Sequence, residues 1–305
     1  MRCSPARGTK SANMFGLTFT KKLQGIGSHE RPPISFPFSM DFILVAAGGA
    51  NSGGANFNGG GGGGGLICSG QALQGGGGSA QVSIRDAGSY SIVIAAQTVA
   101  QLPSIAGSNS TAFGHTAIGG GKSGGNDAQG AGGVGGSGGG GGGNDTGYLY
   151  AGGAGTANQG YAGGQSTNNL PNGASAGGAG GGAGGVGGNA GGSLQGTGGT
   201  GGLGLAWLDG KVYACGGHGT AGALAGAAMG ALPANYPSGG APNRGFGGQY
   251  TSDSSNPGGA GYGSTGVCVV RYPFSNRVKV TGGTKTQDGA FVYHTFITSG
   301  TLVVG

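Results

Sequence analysis

The hydrophobic positions of this chain fall in short runs at the borders of long stretches that carry almost no side chains. Asp41-Phe42-Ile43-Leu44-Val45-Ala46-Ala47 is an apolar run that stops at Gly48, the pattern of a short buried strand. Residues 81–85 and 89–94 alternate apolar and polar positions around Asp86-Ala87-Gly88, which predicts a hairpin. Residues 267–272 read as a further strand. Beyond them, 277–280, 290–296 and 301–304 predict three more, separated by the Gly282-Gly283 and Ser299-Gly300 turns. No stretch combines a helical apolar period with helix formers and caps. Residues 221–232 come nearest, and their three glycines and the following Pro233 argue against a helix. The expected fold class is therefore all-β with extensive irregular coil.

Composition explains what lies between the strands. Glycine supplies 86 of 305 residues, and 77 of those 86 lie between Gly48 and Gly266. Collagen is excluded, because the glycines follow no strict period of three and only 11 prolines accompany them. Ordering a glycine costs roughly 1–2 kcal/mol of backbone entropy, and a tract such as 138–143 brings no side chain to offset it. Such tracts either stay flexible or pack as threefold extended helices so close together that only glycine fits. Linkers do not alternate with apolar anchors, whereas these tracts are punctuated by Phe57, Leu66, Ile67, Phe113, Ile118, Leu203, Trp207 and Tyr213. Short border strands enclosing packed polyglycine-II-type helices are the expected architecture. Three zones follow: a basic arm at 1–40, a glycine-rich body at 41–272 and a C-terminal β-element at 273–305.

Charge changes the picture at one end only. Residues 1–41 hold Arg2, Arg7, Lys10, Lys21, Lys22 and Arg31 against Glu30 and Asp41, a net +4 of the chain's +6. A basic arm of this kind can bind nucleic acid or dock on an acidic protein surface, and the expectation is an arm held by a neighbour through those six cations. No apolar run approaches the ~20 residues of a membrane span, and no membrane insertion is expected.

Candidate chemistry is sparse. Gly121-Lys122-Ser123 supplies the end of a phosphate-binding loop, but Thr116 stands where its first glycine belongs. The eight carboxylates form no obvious pair, and Asp127, Asp145 and Asp209 stand alone among glycines. Cys215-Gly-Gly-His218 is half of a metal-like spacing without its other half, and Cys3, Cys68, Cys215 and Cys268 form no disulfide framework. Arg244-Gly245-Phe246-Gly247-Gly248 is a single instance of an Arg-Gly-Gly pattern that nucleic-acid binding would repeat. The chain is expected to be no enzyme, with no cofactor, no metal and no nucleic-acid partner.

The border segments together resemble the glycine-rich domain of bacteriophage tail and tail-fibre proteins. The resemblance rests on Phe42-Ile43-Leu44-Val45-Ala46-Ala47-Gly48-Gly49, on the Ser-Tyr-Ser-Ile-Val-Ile run at 89–94, and on Ser110-Thr111-Ala112-Phe113-Gly114 leading to Ile118-Gly119-Gly120-Gly121. It continues through Val212-Tyr213-Ala214-Cys215-Gly216-Gly217 and is most specific at Gly263-Ser264-Thr265-Gly266-Val267-Cys268-Val269-Val270-Arg271-Tyr272. Tyr293-His294-Thr295-Phe296 resembles the β-element that usually precedes such a domain. Here it follows one, so residues 290–304 are expected to pair beside the strand at 41–47, in the same subunit or a neighbour.

The resemblance implies a virion component at the phage particle surface. It implies an adhesin-like polyglycine-helix sandwich whose non-glycine interruptions meet a bacterial surface receptor. Tyr148, Tyr150, Tyr161, Asn169, Asn172, Tyr236, Arg244, Phe246 and Tyr250 are the expected receptor-binding residues, since aromatics with Asn and Gly make adaptable contact surfaces. A tail-fibre or spike protein is expected, as a homo-oligomer with a trimer favoured, joined to other phage structural proteins through its arm. The alternative is a capsid decoration or head-fibre protein anchored by that arm.

Overall fold

The structure is a computed structural model of the whole chain. It describes residues 38–51, 57–70, 82–84, 87–99, 103–125, 130–143, 148–167, 175–191, 196–221, 231, 234, 243–248, 261–274 and 279–305. Among them there are strands and extended tracts but no helix, so the chain is all-β as its residue pattern predicts.

Thirteen strands are described: β1 (Phe38–Val45), β2 (Leu66–Cys68), β3 (Val82–Ile84), β4 (Gly88–Val93), β5 (Ser110–Ala112), β6 (His115–Ala117), β7 (Leu205–Ala206), β8 (Val212–Tyr213), β9 (Val267–Pro273), β10 (Val280–Thr281), β11 (Thr284–Asp288), β12 (Phe291–Phe296) and β13 (Gly300–Val304). One antiparallel sheet has the order β11-β12-β9-β1-β2, with β3 pairing the start of β1 on the same side as β2. A second has the order β10-β13-β4-β5-β6, and β7 with β8 forms a separate hairpin.

Alternation along the strands decides how the sheets meet. Met40, Phe42 and Leu44 of β1, Cys268, Val270 and Tyr272 of β9, and Val292 and Phe296 of β12 point one way. They share a buried cluster with Ile92, Ala112, Leu302 and Val304 of the second sheet. Burying one such large side chain stabilises the fold by about 1.5–3 kcal/mol. Ile43, Val45, Val267 and Val269 point the other way and pack against Leu205, Trp207 and Tyr213 of the hairpin region. β1 and β9 are therefore covered on both faces, the physical reason that Phe42–Val45 and Val267–Val270 are apolar at successive positions instead of alternating. Asp41, paired across the sheet with Arg271, accepts a hydrogen bond from its guanidinium at 2.7 Å. That guanidinium also lies 4.2 Å from the centre of the Phe291 ring.

Strands run directly into glycine tracts: β1 into 46–51, β6 into 118–124 and β8 into 214–220, while 57–65, 197–204 and 261–266 run into β2, β7 and β9. The amides of 59–65 define the packing. Gly59, Gly62 and Gly65 donate to the carbonyls of Gly124, Gly121 and Ile118. Gly60 and Gly63 donate to Gly178 and Gly181, and Gly61 and Gly64 to Gly248 and Gly245. Each advance of three residues moves the acceptor by three, which is the signature of a threefold extended helix bonded to three neighbours. Acceptor numbers fall along antiparallel neighbours and rise along the parallel one.

The carbonyls of the same tract reach three others. Gly60 and Gly63 accept from Gly140 and Ser137, Gly61 from Gly217, and Gly62 and Gly65 from Gly49 and Ala46. The tract therefore has six neighbours, the arrangement of hexagonal packing. Tracts 137–143 and 177–183 are surrounded in the same way, and the three bond to one another. Around them, among the described residues, runs a ring made of 46–51, 118–124, 130–135, 150–154, 161–166, 185–191, 197–203, 214–220 and 244–248, each bonded to the next. The expected polyglycine-type packing is present. A Cβ added at Gly60, Gly62 or Gly180 would lie within 3.0 Å of a neighbour's carbonyl. At the outer rim the requirement lapses: Ala131, Val134, Ala151, Ala154, Ala162, Gln165, Val186 and Asn189 stand three apart on successive tracts and are exposed. Their Cβ atoms prevent another glycine layer from approaching, as side chains guard an edge strand.

Several expectations are corrected. Residues 81–85 and 89–94 form no hairpin: β3 pairs with β1, and β4 pairs with β13 and β5 in the other sheet. Consecutive strands β3 and β4 thus belong to different sheets. β1 begins at Phe38, ahead of the expected boundary at 41. β10–β13, in the C-terminal segment, contribute to both sheets. β9 stands between β12 and β1, and β13 lies in the second sheet, so 290–304 does not pair beside β1. β11 has an entirely exposed, polar sequence at a sheet edge and carries no apolar signal. The β7–β8 hairpin was not among the expected elements, although Asp209-Gly210 between apolar runs is a hairpin signal, and Gly210 has φ +73.

Cys68, Cys215 and Cys268 are buried, and burial pushes the first two thiols up to about 11 and about 12. His218 and His294 are buried as well. His294 Nδ1 lies 2.6 Å from the carbonyl of Gly282, which can only accept, so Nδ1 carries the proton and Nε2 accepts from the Tyr272 hydroxyl at 3.0 Å. Burial lowers the pKa of both histidines, outweighing the carbonyl bonds that raise them. The unfolded chain therefore takes up protons below about pH 6.5 before the folded chain does, and stability falls as pH drops. The raised thiols act oppositely: above about pH 9 the unfolded chain loses protons that the folded chain keeps, and stability falls again. Urea midpoints are expected to form a plateau between pH 6.5 and 9. At pH 5.5 the loss should reach up to about 1.4 kcal/mol per histidine. A midpoint unchanged from pH 7.5 to 5.5 would contradict this account of the two histidines.

Candidate recognition surface

The strands adjoin one end of the glycine tracts, and the other end is described at residues 51, 57–58, 143, 148–150, 166–167, 175–176 and 220. Described residues at that end bind one another closely. The Phe57 carbonyl accepts from Gly143 at 2.6 Å, Asn58 and Thr220 exchange bonds through backbone and side chain, and Thr167 pairs with Ala176. Asn51 donates from its side chain to the Gly59 carbonyl at 2.7 Å. Asn, Thr and Ser thus tie off the tract ends, using side-chain groups where the backbone pattern runs out.

Tyr148, Leu149 and Tyr150 lie at this end. The Tyr150 backbone N–H donates to Ser166 Oγ at 2.9 Å, and its carbonyl accepts from the Ser166 N–H at 3.0 Å. The Tyr150 ring occupies the space that a Cβ on Gly130 would need. The Tyr148 and Tyr150 rings are 6.4 Å apart and tilted by 32°. Tyr148 is 66% exposed and Leu149 55%, so an aromatic and an aliphatic side chain stand in solvent on a backbone fixed by its neighbours. Exposed apolar groups on a rigid base are what a contact surface requires.

Tyr161, Arg244 and Phe246, the remaining expected receptor residues among those described, do not join this patch. Tyr161 follows the turn at 156–160 at the sheet end, where the Gln159 carbonyl accepts from Leu66, and its own N–H donates to Gly182. Arg244 is also at the sheet end, its carbonyl accepting from Ala214. Phe246 is corrected outright. It is 2% exposed and packs with Cys215 and Val212, because its tract is enclosed where a large side chain fills the space beside the sheet. Asn169, Asn172, Tyr236 and Tyr250 lie outside the described residues, as do Arg2, Arg7, Lys10, Lys21, Lys22 and Arg31 of the arm.

Among the described residues no three His, Cys, Asp or Glu side chains cluster as metal ligands, and no helix is long and apolar enough to cross a membrane. Cys215 and His218 lie on one tract, each buried. Comparisons with protein-family models, with curated proteins and with solved structures find no match.

Proposed function

We propose that this chain is a non-enzymatic structural protein of a phage particle, displayed at the virion surface as a tail-fibre or spike component that contributes to host-surface recognition. The observation that carries the reading is the division of labour along the tracts. One end is anchored in two packed sheets, and the other carries Tyr148 and Leu149 in solvent. A hexagonal backbone lattice is a stiff support for side chains displayed at that end. Assembly as a homo-oligomer, a trimer in the first instance, belongs to the same proposal, with the arm attaching the protein to the particle. The net +4 of residues 1–41 also suits the second reading, a head decoration or head fibre held on an acidic capsid.

Two measurements separate the readings. Immunogold labelling with antibody against residues 148–250 should mark fibre ends or the distal tail, whereas label over the head would favour the decoration. Free protein should compete with phage adsorption, and the double substitution Tyr148→Ser, Tyr150→Ser should weaken that competition at least tenfold. Tyr148 is exposed and Tyr150 half-buried, so the melting temperature should change little. Free protein that never competes would remove the recognition role.

A further inference from the structure

The lattice and hairpin do not close the outer face of the first sheet completely. Between the β7–β8 turn and strands β11 and β12 lies a cleft of about 180 Å³, lined by Asp209, Lys211, Thr286, Asp288, Tyr293 and Thr295. Its polar groups are positioned before any ligand arrives. The Asp209 side chain is only 6% exposed, and its Oδ2 accepts from the Tyr213 hydroxyl at 2.6 Å. Its Oδ1 accepts from the Lys211 backbone N–H at 3.1 Å, and the Lys211 ammonium, 50% exposed, lies 3.5 Å from Oδ2. On the sheet side, Thr286 stands directly across from Tyr293 in the strand register, and Thr295 lies two residues further on the same face of β12.

The resulting set is specific in its chemistry. Hydroxyls from two threonines and a tyrosine can both donate and accept, two carboxylates accept, one ammonium donates, and one aromatic ring offers an apolar face. A polyhydroxylated ring answers each of these: its hydroxyls pair with carboxylates and threonines while its C–H face lies on the tyrosine. The volume equals that of about six liquid waters, room for one ring and not for a buried chain. Two carboxylates against one ammonium leave the cleft formally negative, which works against acidic sugars and phosphates.

We propose that this cleft binds a single uncharged saccharide ring, as the end or branch of a longer glycan. That the glycan belongs to a bacterial surface rests on the recognition role proposed above, but the binding itself does not.

The test is saturation-transfer difference NMR on the full chain. The probes are the methyl glycosides of glucose, galactose and N-acetylglucosamine, with glucuronic acid as the anionic comparator. Transfer to at least one neutral ring is expected, with little to glucuronic acid. Asp288→Asn and Thr286→Ala, both at exposed edge positions, should each weaken binding at least fivefold without changing the melting temperature. Tyr293→Ala should weaken it more but also removes packing against the cluster beneath, so the two edge substitutions carry the decision. Absence of transfer to every neutral ring, transfer unaffected by both edge substitutions, or a preference for glucuronic acid would each overturn the proposal. Free protein that competes with adsorption yet binds no sugar would leave the recognition role standing and remove the cleft. Sugar binding without competition would do the reverse.

Discussion

Gly62→Ala is expected to unfold the protein or to lower its stability by at least about 4 kcal/mol, although it adds a single methyl group. Gly62 sits in a tract with six neighbours, donates to Gly121 at 2.9 Å and accepts from Gly49 at 2.8 Å. Its new Cβ would lie within 3.0 Å of the Ser137 and Gly138 backbone. Those atoms cannot retreat, because tract 137–143 is itself held from six sides. Overpacking in an ordinary core costs about 1–3 kcal/mol because side chains change rotamer, and here the obstacle is backbone that has no rotamer to change. Gly191→Ala supplies the comparison. A Cβ there meets nothing within 4 Å and φ is not in the left-handed region. Its effect should lie between neutral and a gain of about 1 kcal/mol from a less flexible unfolded chain. Urea denaturation of the two variants beside the parent decides the matter, and equal midpoints would mean that the lattice is looser than its hydrogen bonds indicate.

Deleting residues 290–305 should abolish folding altogether. The segment contains β12, which lies between β11 and β9, and β13, which lies between β10 and β4, so its loss cuts both sheets. It also removes Val292, Phe296, Leu302 and Val304 from the cluster between the sheets. At about 1.5–3 kcal/mol each, those four side chains amount to roughly 6–12 kcal/mol, as much as the whole net stability of a typical domain. Residue order alone leads to the same deletion through a different partner, a strand beside β1. The observed position is more damaging, because the segment supplies both halves of the packed pair. The truncated chain should be recovered only as aggregate, or without a cooperative transition by circular dichroism. A soluble truncation with a sharp transition near that of the full chain would refute the assignment.

What could be read in advance follows from where each signal resides. β1, β9, β12 and β13 announce themselves because their side chains are apolar or strictly alternate. The tracts announce themselves because nothing but close backbone packing gives repeated glycine a use between apolar anchors. β11 was invisible, since a polar edge strand is held by hydrogen bonds and not by side-chain burial. The supposed hairpin at 81–94 misled because two alternating runs around a turn-forming segment look alike whether they pair with each other or with different sheets. Of the expected contact residues, Tyr148 shows its exposure only in the structure, and Phe246 shows its burial only there. The Arg-Gly-Phe-Gly-Gly context is the same for an exposed ring as for one that fills a gap beside the sheet.

The sequence by itself determined the all-β class, the alternation between strand and glycine tract, and the exclusion of collagen, because these depend on residue types and their spacing along the chain. Tertiary structure alone decided which tract bonds to which, which end presents side chains, and the cleft between Asp209 and Tyr293. A glycine amide carries no information about its partner: every tract offers the same donors and acceptors every three residues. The choice among them is made by the few side chains at the tract ends and by the two sheets that hold those ends in register.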